Sequence, residues 1–279
     1  MSDWKPLSGR IGLGANAPLV PGTASVIKLY SEAFGSDPQN FQQAQNPLMA
    51  SVAQGTTFGM ASNCILAPGR LDFNLNPMTP SGAISELKMQ LIETDDAFYS
   101  QLLHIADSIG SGKIATPQEF DRPTVFAQFA SIESDWTSAN KVLSRVIPER
   151  YRPKLDAEEA FALQINHPKS IESGGESIRL NFVTKWSVEQ FQVISFGMAT
   201  GGFAGSVQPG LLQPQIQSFL GACLTFDCSV AMPSTIPGKK FFTRDQQHSA
   251  LRAGLGLIGE FQREVGLDVK GFRENEQVH

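Results

Sequence analysis

The pattern with the most apparent chemistry is Gly254-Leu-Gly256-Leu-Ile-Gly259, a complete G-x-G-x-x-G followed by Glu274 near the distance at which dinucleotide-binding folds place a ribose-binding acid. Such glycines work at a strand-to-helix turn, where bare backbone amides can approach a pyrophosphate. The surrounding residues argue against that setting. Thr243 and Gln246 have capping-box spacing, and Leu251, Leu255, Ile258, Phe261 and Val265 carry one apolar stripe straight through the glycines to Gly266. The motif therefore reads as the interior of a helix. Ala253, Gly256 and Gly259 then form a seam for close packing, and each interior glycine costs about 0.8–1 kcal/mol of helix propensity. Gly256→Ala is expected to disturb that packing, and no dinucleotide is expected to bind.

Two other glycine patterns fail for similar reasons. Gly12-Leu-Gly14 is followed by Pro18 and Pro21, which stop a helix from opening there. Gly110-Ser-Gly-Lys113 lacks the earlier glycine and the following Ser/Thr of a P-loop and comes after a helix. The titratable groups are equally dispersed. His104, His167, His248 and His279 have no Cys, His or carboxylate at metal-ligand spacing, and Cys64, Cys223 and Cys228 are too few for a disulfide framework. Cys223 and Cys228 fall on opposite faces of one strand, so they read as buried free thiols. An enzyme built on this chain would need a dispersed site, and Asp72, His167, Asp227 and His248 are the polar groups bordering strand faces that could supply it. Each reads more simply as structural. No catalytic residue, metal or cofactor is expected, and the balance leans away from an enzyme.

The elements that must position these groups follow from periodicity. Strands are expected near residues 8–20, 48–54, 56–66 (with a turn at Gly55), 70–76, 124–132, 160–166, 178–186, 189–197 and 219–231. Helices are expected over 24–34 with Thr23 as cap and Gly35 ending it, 80–109 with Thr79 as cap, 137–146, and from Thr243 to Val265. In the second of these, Ile84, Leu87, Leu91, Phe98, Leu102, Ile105 and Ile109 form the stripe. Glu172–Glu176 contains a Gly-Gly suited to a hairpin. Runs of strands followed by long helices favour an α+β fold, mainly antiparallel, with two long packing helices. Two lobes, 1–155 and 156–279, are one arrangement, and one continuous domain is the other. Phe58-Gly-Met-Ala-Ser returns as Phe196-Gly-Met-Ala-Thr, and Arg70-Leu-Asp-Phe resembles Arg179-Leu-Asn-Phe, but the two offsets disagree. Internal duplication is therefore not the favoured reading.

Charge is distributed unevenly. The chain is 18% charged, yet residues 38–69 contain no Asp, Glu, Lys or Arg, and residues 190–238 contain only Asp227. Gln, Gly, Ser, Thr, Ala and Pro fill both stretches. Amides and hydroxyls cost far less to desolvate than ions, and charged edges are a common guard against strand pairing. Gln43 and Gln45 in the first stretch, and Gln208, Gln213 and Gln215 in the second, cluster around prolines where chains turn at the surface. They are the candidate interface residues, with segments 38–48 and 205–218 expected to meet another chain. The net charge of −5 argues against nucleic acid. Arg145, Arg150, Arg152 and Lys154 form the best basic cluster, and it reads as a solvated turn. No signal peptide or apolar run of membrane-spanning length is visible, so a cytoplasmic protein without membrane contact is expected.

Asn16-Ala17-Pro18-Leu19-Val20 near the start, the closing strand Leu224–Ala231 with Pro233, and the long final helix resemble a sporadically distributed bacterial family of about this length with no assigned function. The resemblance implies a cytoplasmic bacterial accessory protein and carries over no catalytic residue. The leading expectation is a non-enzymatic cytoplasmic protein that acts by binding protein, self or heterologous, as an oligomer and as an accessory component of a multi-protein system. A self-assembling structural subunit of virion or tube type is the alternative, and an enzyme with a dispersed site comes third.

Overall fold

The structure is a computed structural model that describes residues 4–15, 25–46, 48–78, 89–93, 95–117, 120–152, 161–196, 214–230 and 242–267. Along the chain run β1 (Lys5–Ala15), α1 (Val26–Phe34), β2 (Asn40–Gln42), β3 (Ser51–Thr57), β4 (Met60–Ala67), β5 (Arg70–Asn76), α2 (Asp95–Gly110), β6 (Phe120–Glu133) and α3 (Trp136–Val146). A 3-10 turn at Glu149–Tyr151 leads to β7 (Ala162–Ser173), β8 (Glu176–Phe196), β9 (Pro214–Val230) and α4 (Arg244–Glu264). The strands form one antiparallel sheet in the order β2-β3-β4-β5-β1-β6-β9-β8-β7. This is an α+β fold. Strands from both halves of the chain meet where β6 pairs with β9, from Thr124↔Ser229 to Glu133↔Leu220.

The period-2 pattern sorts side chains between two faces, and the four helices share one of them. Tyr30 of α1 hydrogen-bonds Ser62 on β4 at 2.7 Å, and Phe34 meets Phe73 of β5 edge-on. Phe98 of α2 meets Phe129 of β6, and the Trp186 indole of β8 donates to the last-turn carbonyl of Val146 in α3 at 3.1 Å. Phe261 of α4 packs on Trp186 and Phe226. An aromatic chain thus runs from Phe98 through Phe129 and Phe226 to Phe261 and Trp186, with ring centroids 5.4–6.1 Å apart. Edge-on and tilted pairs of this kind add about 0.5–1.5 kcal/mol each beyond burial.

The opposite face is polar along most of its width. Its exception is a small apolar cluster of Leu7, Ala130 and Cys223, joined by Met89, Leu91, Ile132 and Phe191. The β1 register shifts between Pro6 and Ser8, which turns Leu7 toward this cluster. Residues 89–93 cross over it, tied down where Ile92 N–H donates to Pro6 O at 2.8 Å and where Lys5 pairs with Glu93.

The structure corrects several expectations. The long helix begins at Asp95 rather than near residue 80, and Leu91 leaves the helical stripe for the small cluster on the other face. The Ile92–Pro6 bond holds this segment against β1 instead of in a helix. Residues 79–88, including Thr79, Ile84 and Leu87, lie outside the described residues. Gly55 is not a turn. It pairs with Ser62 inside β3, and a Cβ there would sit 2.3 Å from the Tyr30 hydroxyl, so only glycine lets α1 approach. The turn is at Phe58-Gly59, both with positive φ.

β8 continues through the break expected at residues 187–188, and β7 continues through Pro168, which an edge strand tolerates. The α1 cap is Ser25, whose Oγ accepts from Lys28 N–H; Thr23 lies outside the described residues, as does Asn16–Val20. Other expectations match. Thr243 and Gln246 form the capping box of α4, Gly35 ends α1 in the left-handed conformation, and Gly174-Gly175 turns the β7–β8 hairpin.

Candidate interaction surfaces

The β8–β9 hairpin is longer than the sheet that supports it. β6 pairs with β9 only as far as Leu220, and β7 pairs with β8 only as far as Ser187. Beyond them β8 and β9 pair with each other alone among the described residues, from Phe191↔Phe219 to Phe196↔Pro214. At about 3.4 Å per residue this ribbon reaches roughly 20 Å past its neighbours. Glu189 is the last charge before it and is anchored in the sheet. It accepts from Ser187 Oγ at 2.7 Å, Lys185 Nζ at 2.9 Å and Gln128 Nε2 at 3.3 Å. Burial alone would raise its carboxyl pKa, but these donors outweigh burial and hold it below the usual carboxylate range.

No charged side chain follows until Asp227. The ribbon presents Phe191, Val193 and Phe219 on one face and Gln192, Ile216 and Ser218 on the other, with Ile216 58% exposed. At its base Phe191 lies over Gly221, where a Cβ would come within 2.8 Å of the ring. An isolated two-stranded ribbon is at best marginally stable in water, so this arm gains from any surface that covers it.

The second surface is the β2 edge at the other end of the sheet. β2 is three residues long, uncharged and exposed throughout. Behind it Gln43 and Ala44 are pinned by Ser51, a fully buried hydroxyl that accepts from Gln43 Nε2 at 3.1 Å and Ala44 N–H at 2.9 Å. Asn46 Oδ1 receives Leu48 N–H at 2.9 Å. These bonds hold Phe41, Leu48 and Met49 outward, each more than half exposed. Packing among the described residues does not account for that display.

Of the interface residues expected from sequence, Gln43 and Gln45 are exposed at this edge. Gln215 is in β9 opposite Ser195 on the arm, with its side chain outside the described residues; Gln208 and Gln213 lie wholly outside them. Phe41, Leu48, Met49 and Ile216 are exposed as well, each by more than half. The sequence signal for them was their apolar character inside charge-free segments.

The groups considered for a dispersed active site fall in three separate places. Asp72 and Asp227 lie on the polar face, on β5 and β9, with β1 and β6 between them. Arg10 reaches Asp72 at 3.7 Å and stacks over Phe126, the partner of Asp227, at 5.2 Å. Arg70 also pairs with Asp72. Burial raises the Asp227 pKa, opposed by Arg10 and Arg70. Gly12 lies beneath this group, since a Cβ there would come within 2.8 Å of Asp72 Oδ1.

His167 lies on the helix face of β7, its Nε2 buried with no hydrogen bond among the described residues. Burial lowers its pKa, with Arg150 and Lys169 adding to the effect. His248 and Arg252, one turn apart on α4, both hold Asp107 of α2, at 2.8 Å and 2.7 Å. Among the described residues no three His, Cys, Asp or Glu side chains converge as metal ligands.

The G-x-G-x-x-G lies inside α4, and the expected seam is only partly packed: Ala253 lies against the core and Gly259 is buried, but Gly256 is not. Gly254 faces the sheet, with a Cβ position 3.1 Å from Val125 and 3.2 Å from Cys228 Sγ, whereas Gly256 is exposed with nothing within 4 Å. Cys64, Cys223 and Cys228 are free and buried, with 223 and 228 on opposite faces of β9. No helix among the described residues is long and apolar enough to cross a membrane. Compared with known proteins, the chain matches no protein-family model, and no curated protein matches it in sequence.

Proposed function

We propose that this protein acts by binding other protein chains, through the uncharged β8–β9 arm and the β2 edge, as a non-enzymatic cytoplasmic accessory component of a bacterial multi-protein system. The observation that carries this reading is the arm: a ribbon that extends past the sheet with no charge on either strand. Natural proteins usually guard free strand edges with charges, prolines or bulges. The β7 edge follows that habit, with Pro168, Lys169 and Glu172 along it. The arm and β2 carry no charge, and the proline of the arm, Pro214, stands at the end of its described pairing. A second copy of the chain is the first partner to test, because uncharged antiparallel ribbons can pair about a two-fold axis without repulsion. The guarded β7 edge favours a discrete oligomer over the open-ended assembly of a virion or tube subunit.

The test is to place single lysines on these surfaces and measure assembly by light scattering and native mass spectrometry. Gln45→Lys is a cleaner probe than Gln43→Lys, which would also break the bond to Ser51, worth about 0.5–1.5 kcal/mol. Ile216→Lys and Gln45→Lys are expected to weaken assembly at least tenfold while the protomer melts within a degree or two of the parent. If neither variant changes assembly state or partner binding, these surfaces are ordinary solvated edges and the reading fails. An open polymer in the parent would favour the structural-subunit alternative.

A further inference from the structure

A groove of about 510 Å³ lies between the β3–β4 turn and α2, away from the arm and the β2 edge loop. Its volume falls in the range of small-molecule sites, about 300–1,000 Å³. One face of α2 supplies Ala97, Gln101 and His104, at the spacing that stacks residues over successive turns. Phe34 comes from the last turn of α1, Phe58 from the tip of the hairpin, and Lys113 from the turn after α2.

Among the described residues Phe58 is the one non-glycine with a positive φ. It sits in the left-handed region, φ 46°, in a two-residue turn completed by Gly59 at φ 76°. Glycine, Asn and Asp are the usual occupants of such turns, and a side chain there costs about 1–2 kcal/mol. Burial does not repay this, because 69% of Phe58 is exposed. Strained residues of this kind concentrate at binding sites.

The polar groups of the groove point to a ligand charge. His104 and Lys113 are both exposed at its rim, neither has an ion-pair partner among the described residues, and no lining residue is acidic. Gln101 is buried, and its amide nitrogen is committed to Ala33 O at 3.0 Å, which fixes the side chain against the groove.

We propose that this groove binds a small aromatic carboxylate, with the ring against Phe34 and Phe58 and the carboxylate held by Lys113 and His104. A ring beside aromatic side chains gains from both burial and ring contact, and a carboxylate can accept a charge-assisted hydrogen bond from the Lys113 ammonium and another from an imidazole N–H of His104. The site is separate from the proposed protein-binding surfaces and does not depend on them.

Calorimetry with 2-naphthoate as probe tests this, with 2-naphthylmethanol as the uncharged analogue and cyclohexanecarboxylate as the non-aromatic one. Phe58→Gly removes the ring while suiting the turn, so this variant is expected to melt no lower than the parent. Lys113→Glu reverses the rim charge on an exposed residue. The expected result is saturable one-to-one binding of 2-naphthoate, weakened at least tenfold by Phe58→Gly and at least fivefold by Lys113→Glu. The alcohol should bind more weakly and be nearly indifferent to Lys113→Glu, and cyclohexanecarboxylate, which loses burial but no ring–ring contact, should be weakened less by Phe58→Gly than 2-naphthoate is. No saturation by about 1 mM probe, or equal affinity in the parent and both variants, would overturn the assignment. Light scattering of Phe58→Gly keeps the two readings apart, since its assembly state should match the parent's.

Discussion

Replacing Gly256 with Ala adds one methyl group to α4 at a point where it meets nothing within 4 Å. The position is exposed and lies in the middle of a 21-residue helix. The only sizeable change is the backbone entropy that glycine loses on folding, so Gly256→Ala should stabilise by about 0.8–1 kcal/mol. For a chain of this size that is a rise in melting temperature of roughly 2–4 °C. Gly254→Ala carries the same propensity gain but places its methyl 3.1 Å from Val125 Cγ2 and 3.2 Å from Cys228 Sγ. Overpacking of that kind costs about 1–3 kcal/mol, so the gain is cancelled or reversed. Urea unfolding with a shared slope measures both variants, and the Gly256 variant should exceed the Gly254 variant by about 1 kcal/mol or more. If Gly256→Ala destabilises, the outer face of α4 is a packing surface and this placement of the helix is wrong.

Three further expectations rest on other parts of the fold. Leu102 is buried at 1% exposure under the aromatic chain, whereas Leu91 is only half-buried in the small opposite cluster; Leu102→Ala should cost about 2–5 kcal/mol and Leu91→Ala clearly less, and equal losses in denaturant would refute the start of α2 at Asp95. Burial holds the folded pKa of Asp227 above its unfolded value, so its contribution favours folding below the ordinary carboxylate pKa of about 3.9 and is lost as pH rises through the folded value. Asp227→Asn should therefore be more stable than the parent at pH 7, with the advantage fading below about pH 4; a less stable variant at neutral pH would mean that Arg10 and Arg70 outweigh desolvation. Burial also pushes all three thiols up, Cys228 to about 12, so a thiol reagent should label none rapidly in the native protein and all three once it is unfolded, and one fast native site would contradict their burial.

The regular parts of this fold were legible because their signals are local. The capping box at Thr243, the αL glycine at Gly35 and the Gly-Gly turn at residues 174–175 each act within a few residues, and all three lie where the sequence places them. The misread parts depend on contacts distant in sequence. Gly55 looks like a turn until Tyr30 is known to lie over it, and Leu91 looks helical until Pro6 O is known to capture Ile92 N–H. The α4 seam was set by three-residue spacing, while the sheet selects Gly254 through Val125 and Cys228. Of the candidate interface, the charge-free composition was visible in the sequence. The projecting arm was not, because it exists only through where β6 and β7 stop pairing. The positive φ of Phe58 was not legible, because an aromatic residue before Gly59 is not the usual occupant of such a turn.

The arm itself offers the most direct test of the central claim. Amide hydrogen exchange of residues 191–196 and 215–219 can be followed across protein concentration, with β4 and β5 as internal references. Burial of the arm against another chain should slow exchange there as concentration rises and leave the reference strands unchanged, and Ile216→Lys should abolish the concentration dependence. Arm amides that exchange quickly at every concentration, in parent and variant alike, would contradict the account.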